Sequence, residues 1–226
     1  MAGPLPDLTP FFERYETQAK EADALFAHIR SQYPDLVVCK EKCSSCCHAM
    51  FDLSLVEALY LNGKFNERFP PGKERTAILD AADSADRTAA RIKRKVFKES
   101  KEGKDSNEIL AEIARVKVRC PLLDENDRCI MYDVRPVTCR LYGVPTAIGG
   151  QSHTCGLTGF LQGEKYPTVA LDKIQHRLSA LSTELTTFIG TAYTELDSMY
   201  VPVSTALLTQ YDAAYLGIGG IQKEKD

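Results

Sequence analysis

The sequence predicts a mainly α protein, a helical domain enclosing an irregular, cysteine-rich, metal-binding core. Three observations predict it. Apolar residues recur every three or four positions through most of the chain, as in helices that bury one face. That periodicity vanishes between Cys120 and about Pro167, where proline, glycine, asparagine and aspartate are frequent. The eight cysteines gather in two groups, Cys39, Cys43, Cys46 and Cys47, then Cys120, Cys129, Cys139 and Cys155.

The 226 residues are read as a single domain, 1–226. Its parts are an N-terminal helix (1–34), the first cysteine group with a short helix (35–63), a helical segment (64–119), the second cysteine group in irregular loops (120–167) and C-terminal helices (168–226). Thr9-Pro10 resembles an N-cap followed by proline in the first turn. Phe11, Tyr15, Ala19, Ala22, Leu25 or Phe26, and Ile29 then trace one helical face, which Pro34 ends. Ser54 and Glu57 have the spacing of a capping box, opening a helix expected to run to Gly63. Ile78, Ala82, Ala85, Ala89, Ile92 and Val96 predict a long helix with one apolar stripe. Asp105 and Glu108 suggest a second capping box before Ile109, Ile113 and Val116, and Cys120-Pro121 must stop that helix. Leu171, Ile174, Leu178, Leu181, Leu185 and Phe188 predict another helix, and a last one is expected from Ser204 to Tyr215.

A stretch of nearly fifty residues without periodicity is unusual inside a compact domain. Metal–ligand bonds would supply the missing organisation, because they replace an apolar core locally. Disulfides fit small exported domains that cannot bury a core. This chain has 44% hydrophobic residues, and Met1 to Asp7 show neither the basic start nor the apolar core of a secretory signal. A cytoplasmic location is therefore expected, where clustered cysteines point to metal or redox chemistry. No apolar run approaches the length of a membrane span, so no membrane partner is expected. Closely spaced thiolates suit zinc, copper(I) or iron–sulfur centres better than hard ions. Side chains of adjacent residues diverge, so Cys46 and Cys47 are expected to play different roles and to serve two nearby centres.

The Cys46-Cys47 pair closing a short cysteine run is followed by Cys120-Pro121-Leu122-Leu123, Cys129-Ile130-Met131-Tyr132, Arg135-Pro136 and Cys139-Arg140. This set resembles the CxxCxxCC family of zinc- or iron-chelating proteins, the YkgJ-like cysteine-cluster proteins. The resemblance runs from about Cys39 to Cys155, with a first gap of three residues where the family name has two. It implies metal or iron–sulfur binding by all eight cysteines, and it implies no settled reaction.

A centre of four thiolates is anionic, and basic residues crowd these cysteines: Lys40, Lys42, Arg119, Arg128, Arg135 and Arg140. Arg135 and Arg140 are the candidates for contacting the cofactor, because a guanidinium offsets charge and donates to sulfur or to loop carbonyls. His48 and His153 lie beside cysteines, but eight thiolates already complete two four-ligand sites. A loop hydrogen bond, or a hydrogen bond donated to a ligating residue, is the expected role for either.

Irregular ligand gaps favour an iron–sulfur cluster, such as 4Fe–4S, over zinc, whose ribbons pair cysteines at regular distances. The expected function is an iron–sulfur protein with an electron-transfer or other redox role and a redox or protein partner. The alternative is a zinc protein whose structural sites make an interaction scaffold. An outside alternative is an S-adenosylmethionine-dependent methyltransferase-like enzyme. Cys39-x3-Cys43-x2-Cys46 has the cluster spacing of radical S-adenosylmethionine enzymes, and the CxxCxxCC signature also occurs in flagellin lysine methylases. Ser45 replaces the aromatic residue such a loop carries, and the strand–helix alternation of a barrel is absent. The net charge of −3 gives no general pull toward nucleic acid. Arg91 to Lys104 holds seven basic and two acidic side chains, a strip read as the solvated side of the long helix. With no Ser-His-Asp set, phosphate loop or dinucleotide fingerprint, the sequence leaves open whether the chain is an enzyme.

Overall fold

In the computed structural model, which describes residues 5–39, 43–105, 108–109, 112–113, 116–161 and 163–219, the periodic stretches are helices. Helix α1 spans Thr9–Gln32 and buries Phe11, Tyr15, Ala19, Ala22 and Ile29, the face its spacing predicts. Asp7 Oδ1 accepts the Thr9 N–H at 2.9 Å, so the cap comes from two residues before Thr9. Of the pair Leu25 and Phe26, Leu25 is exposed and Phe26 turns inward.

Helix α2, Leu55–Arg68, is the centre of the fold, with Leu55 to Asn62 and Phe65 buried. Glu57 Oε2 accepts from the Ser54 N–H at 3.1 Å and the Ser54 hydroxyl at 3.0 Å, forming the expected capping box. The helix does not stop at Gly63. It continues because Phe65 and Phe69, their rings tilted and 5.3 Å apart, are buried in the core, burial that outweighs the roughly 1 kcal/mol a mid-helix glycine costs.

Helix α3, Lys73–Lys101, buries only Ile78, Ala82 and Ala89. Its basic strip is largely paired locally: Lys95 faces Glu99, Lys98 faces Glu102, Lys104 reaches Glu112 at 2.6 Å, and Lys93 crosses to Asp52 at 2.7 Å. The solvated reading of that strip therefore holds. Beyond it, Glu108 N–H meets Asp105 Oδ1 at 3.2 Å, and residues 108–109 and 112–113 are helical.

The aperiodic stretch is short pieces rather than formless loop. It contains a 3-10 turn at Tyr132–Val134, helix α4 (Val137–Leu141), and strands β2 (Thr146–Ile148) and β3 (Gln151–His153). Gly149 and Gly150, both with positive φ, turn β2 into β3, and β4 (Val169–Ala170) adds to β2 in parallel. Strand β1 (Asp52–Leu53) pairs antiparallel with β5 (Val201–Pro202). These pieces form no barrel among the described residues.

Helix α5, Leu171–Ile189, buries Leu171, Ile174, Leu178, Leu181 and Leu185 and ends at Gly190 in the left-handed conformation. Phe188 is exposed, leaning on Phe11 at 5.2 Å at the rim of the core. Helix α6 covers only Val203–Leu208, shorter than the expected Ser204 to Tyr215. Asn62 of α2 caps that end: its amide donates to Ala206 O at 2.8 Å and Thr209 O at 3.0 Å. Helix α4 lies against α1, α3 against α6, and α2 against α5 and α6. One hydrophobic core joins them, and Cys39, Cys120 and Cys129 pack on its edge. No described helix is long and apolar enough to cross a membrane.

Candidate metal centre

The two cysteine groups meet. Cys120 N–H donates to Cys47 O at 2.7 Å and Val118 N–H to His48 O at 3.1 Å, so main-chain bonds zip the first loop to the second. All eight cysteines are free thiols and half-buried. All but Cys155 line one cavity of about 560 Å3, and Cys155 Sγ lies 3.8 Å from Ser45 Oγ in the loop of the first group.

Local sequence explains how each loop delivers its thiols. Cys46, Cys47 and His48 form a 3-10 turn, with His48 Nδ1 and Ser44 O 3.0 Å apart across it. That is the loop hydrogen bond expected of His48. His153 lies exposed on β3 and does not line the cavity. Cys120 and Cys129 flank a tight hairpin closed by Ile130 N–H to Leu122 O at 2.9 Å. Asp124 Oδ1 holds its tip by accepting from the N–H groups of Asn126 and Arg128, both at 2.8 Å, while Asp127 adopts φ +58°. Cys139 rides on α4, whose first residue, Val137, donates its N–H to buried Glu57 Oε1 at 3.2 Å. Glu57 thus caps α2 and also anchors the helix that carries Cys139, a role its spacing from Ser54 does not reveal.

Cys39 depends on Gly143. This glycine has φ +114°, and an added Cβ would stand 3.0 Å from Cys39 Cβ and 3.6 Å from its Sγ. Gly143→Ala is expected to combine a strained backbone with that clash, at a cost of about 1–3 kcal/mol, and to displace Cys39. A thermal melt with metal analysis checks it; an unchanged Tm and unchanged metal content would contradict it.

The arginines work mainly through the loop backbone. Arg140, only 8% exposed, donates Nε–H to Arg135 O at 2.8 Å and Nη2–H to Asp133 O at 2.7 Å, and its Nη1 pairs with Asp23 of α1. Arg135 stacks on the Tyr132 ring at 3.9 Å and donates to Tyr132 O at 2.9 Å and to Asp23 Oδ1 at 3.2 Å. Arg119 donates to Leu123 O at 3.3 Å and Asp124 O at 2.7 Å. Arg68, a residue the sequence did not single out, grips Asp133 in two bonds of 2.9 and 2.7 Å and Ile130 O at 3.0 Å. Lys40 and Lys42 lie outside the described residues.

The thiols are electrostatically unequal. Cys46 is drawn down to about 7, first because Cys47 donates a hydrogen bond to it at 3.9 Å, with Arg135 adding its field. That same bond, and then burial, drives Cys47 far upward. Burial raises Cys39 to about 11 and Cys120 to about 12, and pushes Cys129 up and Cys139 well up. Thiols held protonated in a polar-poor cavity are the groups that a soft cation stabilises as thiolates.

The family model described as "CxxCxxCC: Putative zinc- or iron-chelating domain" matches residues 38–156, a span that opens one residue before Cys39 and closes one after Cys155. The chain belongs to this family. No curated protein and no solved structure matches it. The CxxCxxCC domain thus takes in both cysteine groups together with α2, α3 and α4, and shares one hydrophobic core with α1 and α5. Its donor set is all sulfur, which fits zinc or iron–sulfur chemistry. Among the described residues no three His, Cys, Asp or Glu side chains converge closely enough to hold one ion as arranged, so the sulfurs line the cavity without meeting at a point.

Proposed function

We propose that this CxxCxxCC domain carries iron–sulfur chemistry and serves electron transfer. The observation that carries the reading is that no three His, Cys, Asp or Glu side chains among the described residues converge tightly enough to grip a single ion. Four thiolates around one zinc, with Zn–S near 2.3 Å, stand only about 3.8 Å apart, whereas a cluster places its own iron and sulfide between its ligands. Seven cysteines that line one cavity without meeting at a point suit the larger centre. Arginine-anchored loops suit it too, because a rigid polypeptide with hydrogen bonds near sulfur sets a cluster's potential. When bound, iron–sulfur centres would supply a reversible one-electron couple; Cys39, Cys43, Cys46, Cys47, Cys120, Cys129, Cys139 and Cys155 would supply the ligands between them. Arg135 and Arg140 would fix the loops beneath.

The experiment is purification without oxygen, followed by iron, zinc and sulfide analysis and a visible spectrum. The expected result is brown protein with iron and sulfide in proportion and a band that bleaches on reduction. Colourless protein with stoichiometric zinc would overturn the redox reading in favour of a structural zinc scaffold.

A further inference from the structure

We infer that Asp23 of α1 lowers the redox potential of the bound iron–sulfur chemistry, as a positioning residue that acts through Arg135 and Arg140. The inference rests on the iron–sulfur reading above and deepens it. It gives control of the potential to a carboxylate outside the span 38–156 that the family model matches. Asp23 lies three residues before Phe26 and seven before Arg30, spacings that share one face of a helix. Phe26 and Arg30 both line the thiol cavity, so α1 turns that face toward the cysteine loops.

Arg135 and Arg140 line the same cavity as cysteines of both groups. A centre held by thiolates is anionic, and reduction adds one more negative charge. Two guanidiniums beside it favour the reduced state, which raises the potential. Asp23 opposes that effect. Its Oδ1 accepts from Arg135 Nη2 at 3.2 Å, and its Oδ2 pairs with Arg140 Nη1. The other hydrogen bonds of these two side chains go to the carbonyls of Tyr132, Asp133 and Arg135, which bear no net charge. Asp23 is thus the carboxylate that offsets both cations at once. The two arginine side chains are only 17% and 8% exposed, so water screens them little. A carboxylate in contact with them therefore governs the field they send into the cavity. Asp23 itself is 40% exposed and does not line the cavity, so its influence passes through the arginines.

The test is a redox titration of the visible band on full-length protein purified without oxygen, comparing Asp23→Asn with the unmutated chain. Asparagine keeps the size and one acceptor oxygen and removes the charge. The expected result is unchanged iron and sulfide content with a midpoint potential more positive by about 59 mV, a tenfold shift in a one-electron equilibrium. Glu184→Gln takes the same charge from the half-exposed pair with Arg14, whose members do not line the cavity, and is expected to leave the potential where it was. Arg135→Gln removes a cation instead and is expected to move the potential the opposite way, which tests the field even if Asp23→Asn fails to fold. An unchanged or more negative potential in Asp23→Asn, an equal shift in Glu184→Gln, or no negative shift in Arg135→Gln would overturn the inference and leave the iron–sulfur reading intact. Colourless, zinc-loaded unmutated protein would overturn that reading itself, and the inference with it.

Discussion

Stripping the metal with a chelator under reducing conditions is expected to lower the Tm by about 10 °C and to loosen the molecule unevenly. A ligand held at about 1,000 times its Kd contributes roughly 4 kcal/mol to folding, which in a chain of this size corresponds to a shift of that order. The loss should be local because two kinds of cohesion hold different parts. Helices α1, α2 and α5 share buried side chains such as Tyr15, Leu55, Leu61, Phe65, Leu181 and Leu185, an apolar core that coheres by burial. The segments 43–48 and 116–161 rest on short turns, two three-residue strands and the five-residue α4. Their amides are expected to lose protection from hydrogen exchange first, while those of α2 and α5 stay protected. The Ile130–Val134 stretch should persist longest among the loops, because Arg68 and Arg140 hold its carbonyls. A chelated protein with unchanged Tm and uniform protection would show that the loops need no metal and would remove the structural basis for the centre.

The same division explains what the sequence makes legible. Helical faces follow from local spacing, so α1, the Ser54–Glu57 box and α5 are readable residue by residue. The errors arise where a distant group intervenes. Gly63 reads as a stop only if Phe65 and Phe69 have nothing to bury. The end of α6 at Leu208 is capped by Asn62, nearly 150 residues earlier, a partner that no neighbour of Leu208 signals. The small strands are invisible to periodicity because two or three residues cannot show a period of two. Gly149-Gly150 alone, a two-residue hairpin turn, could have marked β2 and β3.

The site is legible in composition and not in connectivity. The clustering of Cys39 to Cys47 and of Cys120 to Cys155 announces sulfur chemistry, and the adjacent pair announces divergence. Nothing in the spacing states that Cys47 would be bonded to Cys120 through the main chain, nor that Gly143 would make room for Cys39. Arg135 and Arg140 stand out by charge, yet the carboxylate they share, Asp23, sits on α1 among ordinary surface residues more than a hundred positions away.

That shared carboxylate makes Arg140 the most consequential single side chain for the geometry of the second cysteine group. Arg140→Ala is expected to destabilise the protein by about 3 kcal/mol, the range for breaking a largely buried charged network, and to reduce bound metal. The guanidinium is buried, and its three bonds run to Asp23, Arg135 O and Asp133 O, so its removal orphans two carbonyls and releases α4 with Cys139 from α1. Arg140→Lys should restore little, because a point charge cannot span the carboxylate and both carbonyls that the fork reaches together. Arg14→Ala supplies the contrast. Arg14 makes two bonds to Glu184, 2.6 and 3.0 Å, but both partners are about half exposed, so the expected loss is below about 1 kcal/mol. Denaturant melts of the three variants, with metal content measured on each, check the argument. An Arg140→Ala protein as stable and as fully metal-loaded as the Arg14→Ala protein would mean that the arginine beneath the cysteine loops only offsets charge and does not position them.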